Sequence, residues 1–175
     1  MFMKKILTLT LVAVLLAGCG AAASTATGLG HSVSIAKSKD ATADVAGVAQ
    51  VDTVMAAVTF DGAGKILGVK IDSAQTKVNF DATGKITSDL AAPQKTKVEL
   101  GNDYGMKKNS NIGREWFEQI AELEKWMVGK TVDQVKTMKV KDGGAPDIAD
   151  LNSKVTISVA DYQAAVAEAY ENSKK

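Results

Sequence analysis

Residues 51–71 read VDTVMAAVTFDGAGKILGVKI. Two apolar runs flank Asp61-Gly62-Ala63-Gly64, where Asp sits at the entry and Gly supplies positive φ. Such a pattern predicts an antiparallel β-hairpin over Gln50–Ile71. A second phrase, VNFDATGKIT at 78–87, echoes VTFDGAGKIL at 58–67. Phe80-Asp81 matches Phe60-Asp61, and Gly84-Lys85-Ile86 matches Gly64-Lys65-Ile66, so a second turn of the same chemistry is expected. Two copies are too few for a repeat architecture.

Downstream the period changes. Residues 93–111, PQKTKVELGNDYGMKKNSN, are polar and predict a surface loop or flap. Ile112, Trp116, Phe117, Ile120, Leu123 and Met127 then recur at helical spacing, and Gly129 is the expected stop. Thr131 with Gln134 forms a capping box for a short helix over Val132–Met138, and residues 141–147 read as a loop. Val155-Thr156-Ile157 predicts a short strand. Ser158 with Asp161 predicts the N-cap of a last helix through Ala160, Ala164, Ala165 and Tyr170. The order is strands, helices, short strand, helix. It predicts an α+β domain, an antiparallel sheet with two or three helices packed on it.

Upstream, Val33 and Ile35 alternate with serines and suggest an early strand. Residues 1–18 join a basic head with Lys4 and Lys5, an apolar run over Ile6–Leu16 and small residues, which is a secretory signal peptide. That run is short of the roughly 20 residues that span a bilayer. Leu16-Ala17-Gly18-Cys19 resembles a bacterial lipobox, which implies a lipid on Cys19. Residues 19–30 then read as a lipidated flexible tether, and 31–175 as a single domain. These readings place the chain outside the cytoplasm, anchored to the bacterial cell membrane by lipid rather than by a basic patch.

Several chemistries are excluded. Cys19 is the one cysteine, so no disulfide forms within the chain. Removal of Lys4 and Lys5 leaves 19 basic against 20 acidic residues, a balance that does not favour nucleic acid. The single histidine, His31, sits beside the tether, and no Cys, His or carboxylate cluster has metal-ligand spacing. No nucleophile motif accompanies His31, so no catalytic residues are assigned and a hydrolase is disfavoured. Trp116 joins the apolar stripe as core. Trp126, ten residues on, turns to another face, where packing or cover for a ligand are the alternatives. Tyr104 is the better candidate for a ligand lid, with turn packing as the alternative.

Residues 150–158 read DLNSKVTIS. Together with the hairpin and the terminal helix they resemble the FMN-binding domain family, found in sodium-pumping quinone reductase and Rnf subunits and in lipoproteins implicated in extracellular electron transfer. In that family a D-x-x-S-G-A-T pattern precedes a helix, and its threonine receives FMN as a phosphoester from a separate transferase. Asp150, Ser153 and Thr156 match at the same spacing, while Lys154 and Val155 replace Gly and Ala. The resemblance implies Thr156 as the attachment residue, with Asp150, Ser153 and Lys154 around it. It also implies FMN as cofactor, a flavin transferase and a redox partner, and an electron-carrying role. A phosphate there would meet the N–H groups of the following helix, the Ser153 hydroxyl and the Lys154 charge. Glycine permits backbone freedom that lysine removes, so covalent flavin, non-covalent flavin and no flavin all stay open. The other reading is a non-redox surface lipoprotein that binds a small ligand or a partner through residues 93–111. There DLNSKVTIS is only a strand end and a helix cap.

Overall fold

The computed structural model describes residues 24–175. Three strands, β1 (Thr25–Ser34), β2 (Gly47–Asp61) and β3 (Ile66–Phe80), form an antiparallel sheet in the order β1-β2-β3. Four α-helices follow: α1 (Lys97–Leu100), α2 (Trp116–Met127), α3 (Val132–Lys136) and α4 (Ala160–Asn172). The α+β architecture read from the sequence is the one observed.

The Asp-to-Gly turn sets the β2–β3 register. Asp61 Oδ1 accepts from the N–H groups of Ala63 and Lys65, both at 2.9 Å, and Gly64 takes φ +77°. The echoed phrase builds the same turn: Asp81 Oδ1 accepts from Thr83 N and Lys85 N, and Gly84 takes φ +84°. A bulge at Thr59/Phe60 adjusts the first ladder beside its turn.

Val54, Ala56, Val58 and Phe60 of β2 and Ile66, Val69 and Ile71 of β3 are buried against the helices. Alternate residues such as Leu29 and Met55 face outward, as the two-residue period of a strand requires. Helix α2 buries Trp116, Ile120, Leu123 and Met127, as the stripe predicted, while Ile112 precedes it. A capping box of Glu115 and Glu118 starts α2, and the expected Thr131–Gln134 box starts α3.

The flexible tether is corrected over its second half. Thr25–Gly30 pair with β2 from Asp61 to Ala56. Gly28 and Gly30 looked like linker residues, yet they are where α4 meets the sheet. A Cβ on Gly28 would lie 1.8 Å from the Ala169 carbonyl oxygen, and one on Gly30 would lie 2.0 Å from that of Ala165. Missing side chains here allow backbone contact, not flexibility. Cys19 and residues 1–18, read from the sequence as a signal peptide, lie outside the described residues.

Both sheet edges take bonds from helices or loops along part of their length, which blunts edge pairing there. On β1, Asn172 Nδ2 donates to Leu29 O at 2.8 Å, and the His31 N–H donates to the Glu168 carboxylate. On β3, Glu124 Oε1 accepts from Ile71 N at 2.8 Å, and Thr96 bridges to Ala74.

A second correction concerns Val155–Ile157, which form no strand. The chain turns there instead: Val155 N donates to Leu151 O at 2.9 Å, and the Val155 side chain is fully buried. Ser158 is not the cap of α4. Val159 holds the N-cap position without a side-chain bond, and its N–H donates to Gly144 O at 3.1 Å. Residues 93–111 are not an open loop either. They hold α1 and two 3-10 turns, and Lys97 is buried under the rings of Tyr104 and Trp116, 4.8 and 5.2 Å from their centroids.

Candidate functional site

Thr156 lies between the turn at residues 151–154 and α4, with its residue exposed. Its backbone N–H and its hydroxyl both donate to Gln119 Oε1, at 2.9 and 3.2 Å. Gln119 comes from the inner face of α2 and is completely buried. Its amide Nε2 donates in turn to Ser110 Oγ and Arg114 O, both at 3.3 Å. One buried amide therefore ties Thr156 to the loop that enters α2. Glu115, also buried, holds that loop from the other side: its carboxylate accepts from Met106 N at 2.8 Å and from Lys107 N at 3.0 Å.

The remaining motif residues take distinct places. Asp150 and Lys154 line a surface groove of about 300 Å³ with Glu122, Trp126, Lys130 and Leu151. Ser153 is exposed on the turn between them and does not line that groove. The Lys154 ammonium lies 3.3 Å from Glu122, and Arg114 approaches the same carboxylate at 3.7 Å. Lys154, with Lys125 and Arg114 near, holds the Glu122 carboxyl below the usual carboxylate range. Lys154 has negative φ, so the turn itself does not need the glycine of the family pattern.

Trp126 falls beside this turn, with the Lys130 ammonium 4.8 Å from its ring centroid. Tyr104 is held as packing: half-buried against the core, its hydroxyl donates to Gln75 Oε1 at 3.2 Å. His31 stands far along the chain from the motif, its Nδ1 2.9 Å from Glu168 of α4. Among the described residues no His, Cys, Asp and Glu cluster suits a metal ion, and no helix is long and apolar enough to cross a membrane.

Gln119 and Glu115 were missed in the sequence. A signal existed for Gln119: an uncharged amide sits three residues from Trp116 and four from Leu123, inside the apolar stripe. Glu115 gave the ordinary appearance of an acidic residue at a helix start.

What the arrangement offers chemically is a surface alcohol with a fixed hydrogen-bond acceptor behind it. A groove lined by an indole, a valine and several ammonium groups lies on the neighbouring turn; Asp150 and Lys154 line it, and Thr156 does not. Flat rings favour the first two and phosphate the last. These residue types fit a flavin nucleotide.

No family model matches the chain, and no solved structure matches it. A stretch of 42 residues is 45% identical to part of a chlorophenol reductase of Desulfitobacterium hafniense; it covers 24% of this chain and 13% of that protein.

Proposed function

We propose that the chain is a membrane-anchored, extracytoplasmic lipoprotein that carries FMN at Thr156 and serves as an electron carrier. The observation that supports this most is the hydroxyl of the exposed residue Thr156 donating to the buried Gln119 carbonyl. Bound flavin would supply the redox chemistry, and the protein would supply position and charge. Trp126 and Val128 offer the ring an apolar wall. Lys125 and Lys130 offer charge to a phosphate, while Lys154 is paired with Glu122. The lipid on Cys19 would hold the domain at the membrane, where a redox partner embedded in or attached to it can be met. The visible spectrum of protein from its native host tests this reading: a flavin spectrum retained after denaturation is expected, and a colourless protein contradicts it.

A second reading rests on a different place. The open face of the sheet carries a cavity of about 660 Å³, with Leu29, Met55, Ala57 and Val98 in its wall and Lys70 and His31 at its rim. This favours a non-redox lipoprotein that binds a small apolar ligand. Saturable uptake of an apolar fluorescent dye, lost in Ala57→Asp, would support it, and no saturable uptake would exclude it.

A further inference from the structure

We infer that Gln119 is the positioning residue of the Thr156 attachment site, an inference that rests on the flavin reading above. Three observations carry it. Gln119 is a fully buried amide in the apolar stripe of α2, a costly place for a polar group unless each end is paired. Each end is paired, and its carbonyl serves Thr156 twice, at the backbone N–H and at the hydroxyl. Its Nε2 is anchored on Ser110 and Arg114, so the carbonyl cannot turn away without breaking two further bonds.

Those bonds fix the state of the hydroxyl. Thr156 Oγ1 gives its proton to the Gln119 carbonyl, and among the described residues no donor takes up its lone pairs. A lone pair is what must reach phosphorus. Attachment forms the Thr156 Oγ1–phosphorus bond and releases the hydroxyl proton. It breaks the phosphoanhydride bond of a flavin dinucleotide donor, and the other nucleotide leaves as its monophosphate. A neutral amide cannot keep the released proton. The O–H therefore swings from the Gln119 carbonyl to a base on the transferase as the ester forms, while the Thr156 N–H bond keeps the residue in place, and Gln119 contributes orientation alone. Once the ester forms, the hydroxyl bond is gone, and the Thr156 N–H alone continues to hold the carbonyl.

The test compares wild type, Gln119→Met and Thr156→Ser, each given an FMN transferase and flavin dinucleotide. Loading is read as protein-bound fluorescence after denaturation, and folding as the urea midpoint. Wild type should load. Thr156→Ser, which keeps the hydroxyl and its bond, should load within about threefold of it. Folded Gln119→Met should load at least tenfold more slowly. Because Gln119→Met risks misfolding, NMR on unloaded wild type gives a second readout: one χ1 rotamer for Thr156 and a hydroxyl proton protected from exchange. Equal loading by Gln119→Met, or rotamer averaging at Thr156, overturns the positioning role and leaves the flavin reading intact. A wild type that never loads, beside a control chain with the complete motif that does, overturns both.

Discussion

The Trp116 indole N–H donates to the Tyr162 phenolic oxygen at 2.9 Å, and the rings meet edge to face at 6.2 Å. This pair joins α2, which carries Gln119, to α4, which follows Thr156. Burial pushes the Tyr162 hydroxyl up to about 12, so it stays neutral in the folded protein. Trp116→Phe removes the bond and leaves a buried hydroxyl unpaired, a loss of about 1–3 kcal/mol. Trp116→Ala adds a cavity and should cost about 3–5 kcal/mol, and Ile120→Ala about 2–5 kcal/mol. Urea midpoints measure all three. Wild-type midpoints in the alanine variants would show that this face is not buried.

Gly28→Ala and Gly30→Ala should each destabilise the domain by about 1–3 kcal/mol or more, because the new methyl meets helix backbone, not a side chain that can turn aside. Gly68→Ala is the control, since nothing lies within 4 Å of its added Cβ. Equal midpoints for all three would mean that α4 does not rest on β1.

Lys97 makes stability depend on pH. Burial, with Lys37 near, pushes its ammonium down to about 8, while Asp52 and Asp72 pull the other way. Between pH 8 and 9.5 the unfolded chain keeps this proton and the folded chain sheds it. The unfolded state then binds more protons, and stability rises with pH. The urea midpoint of wild type should climb across that window relative to Lys97→Met. Parallel curves for the two proteins would place the amine in contact with bulk water.

The sequence was most legible where local chemistry and tertiary structure agreed. Asp61 and Gly64 act within their own turn, and Thr131 and Gln134 within their own box, so neither needed a distant partner to be read. Gly28 and Gly30 misled because their role depends on Ala165 and Ala169, more than a hundred residues away. Val155-Thr156-Ile157 has strand composition, yet the N–H groups of Val155 and Thr156 go to Leu151 O and Gln119 Oε1, and β-propensity yields to that context. At the site, spacing singled out Asp150, Ser153 and Thr156 but not the turn that carries them. The tether to Gln119 could not be read either, because 37 residues separate Thr156 from that amide.

Restoring the family pattern should cost stability. Val155→Ala opens a cavity beneath the motif and should lower stability by about 1–3 kcal/mol. Lys154→Gly removes the ammonium that faces Glu122. The double variant should therefore unfold at lower urea than wild type while gaining in flavin attachment, since glycine frees the approach to Thr156. A double variant as stable as wild type would contradict the burial of Val155. Loading no better than wild type would show that Lys154 and Val155 do not obstruct attachment.

The most direct measurement is the intact mass of wild-type protein purified from cells that also make an FMN transferase, with Thr156→Val beside it. Wild type should gain the mass of one FMN ester and stay yellow after denaturation. Thr156→Val should gain nothing and unfold at nearly the wild-type midpoint. Its lost hydroxyl was exposed, and its backbone N–H still reaches Gln119. An unmodified wild-type mass, in cells where a chain with the complete D-x-x-S-G-A-T pattern is loaded, would contradict Thr156 as a flavin attachment site.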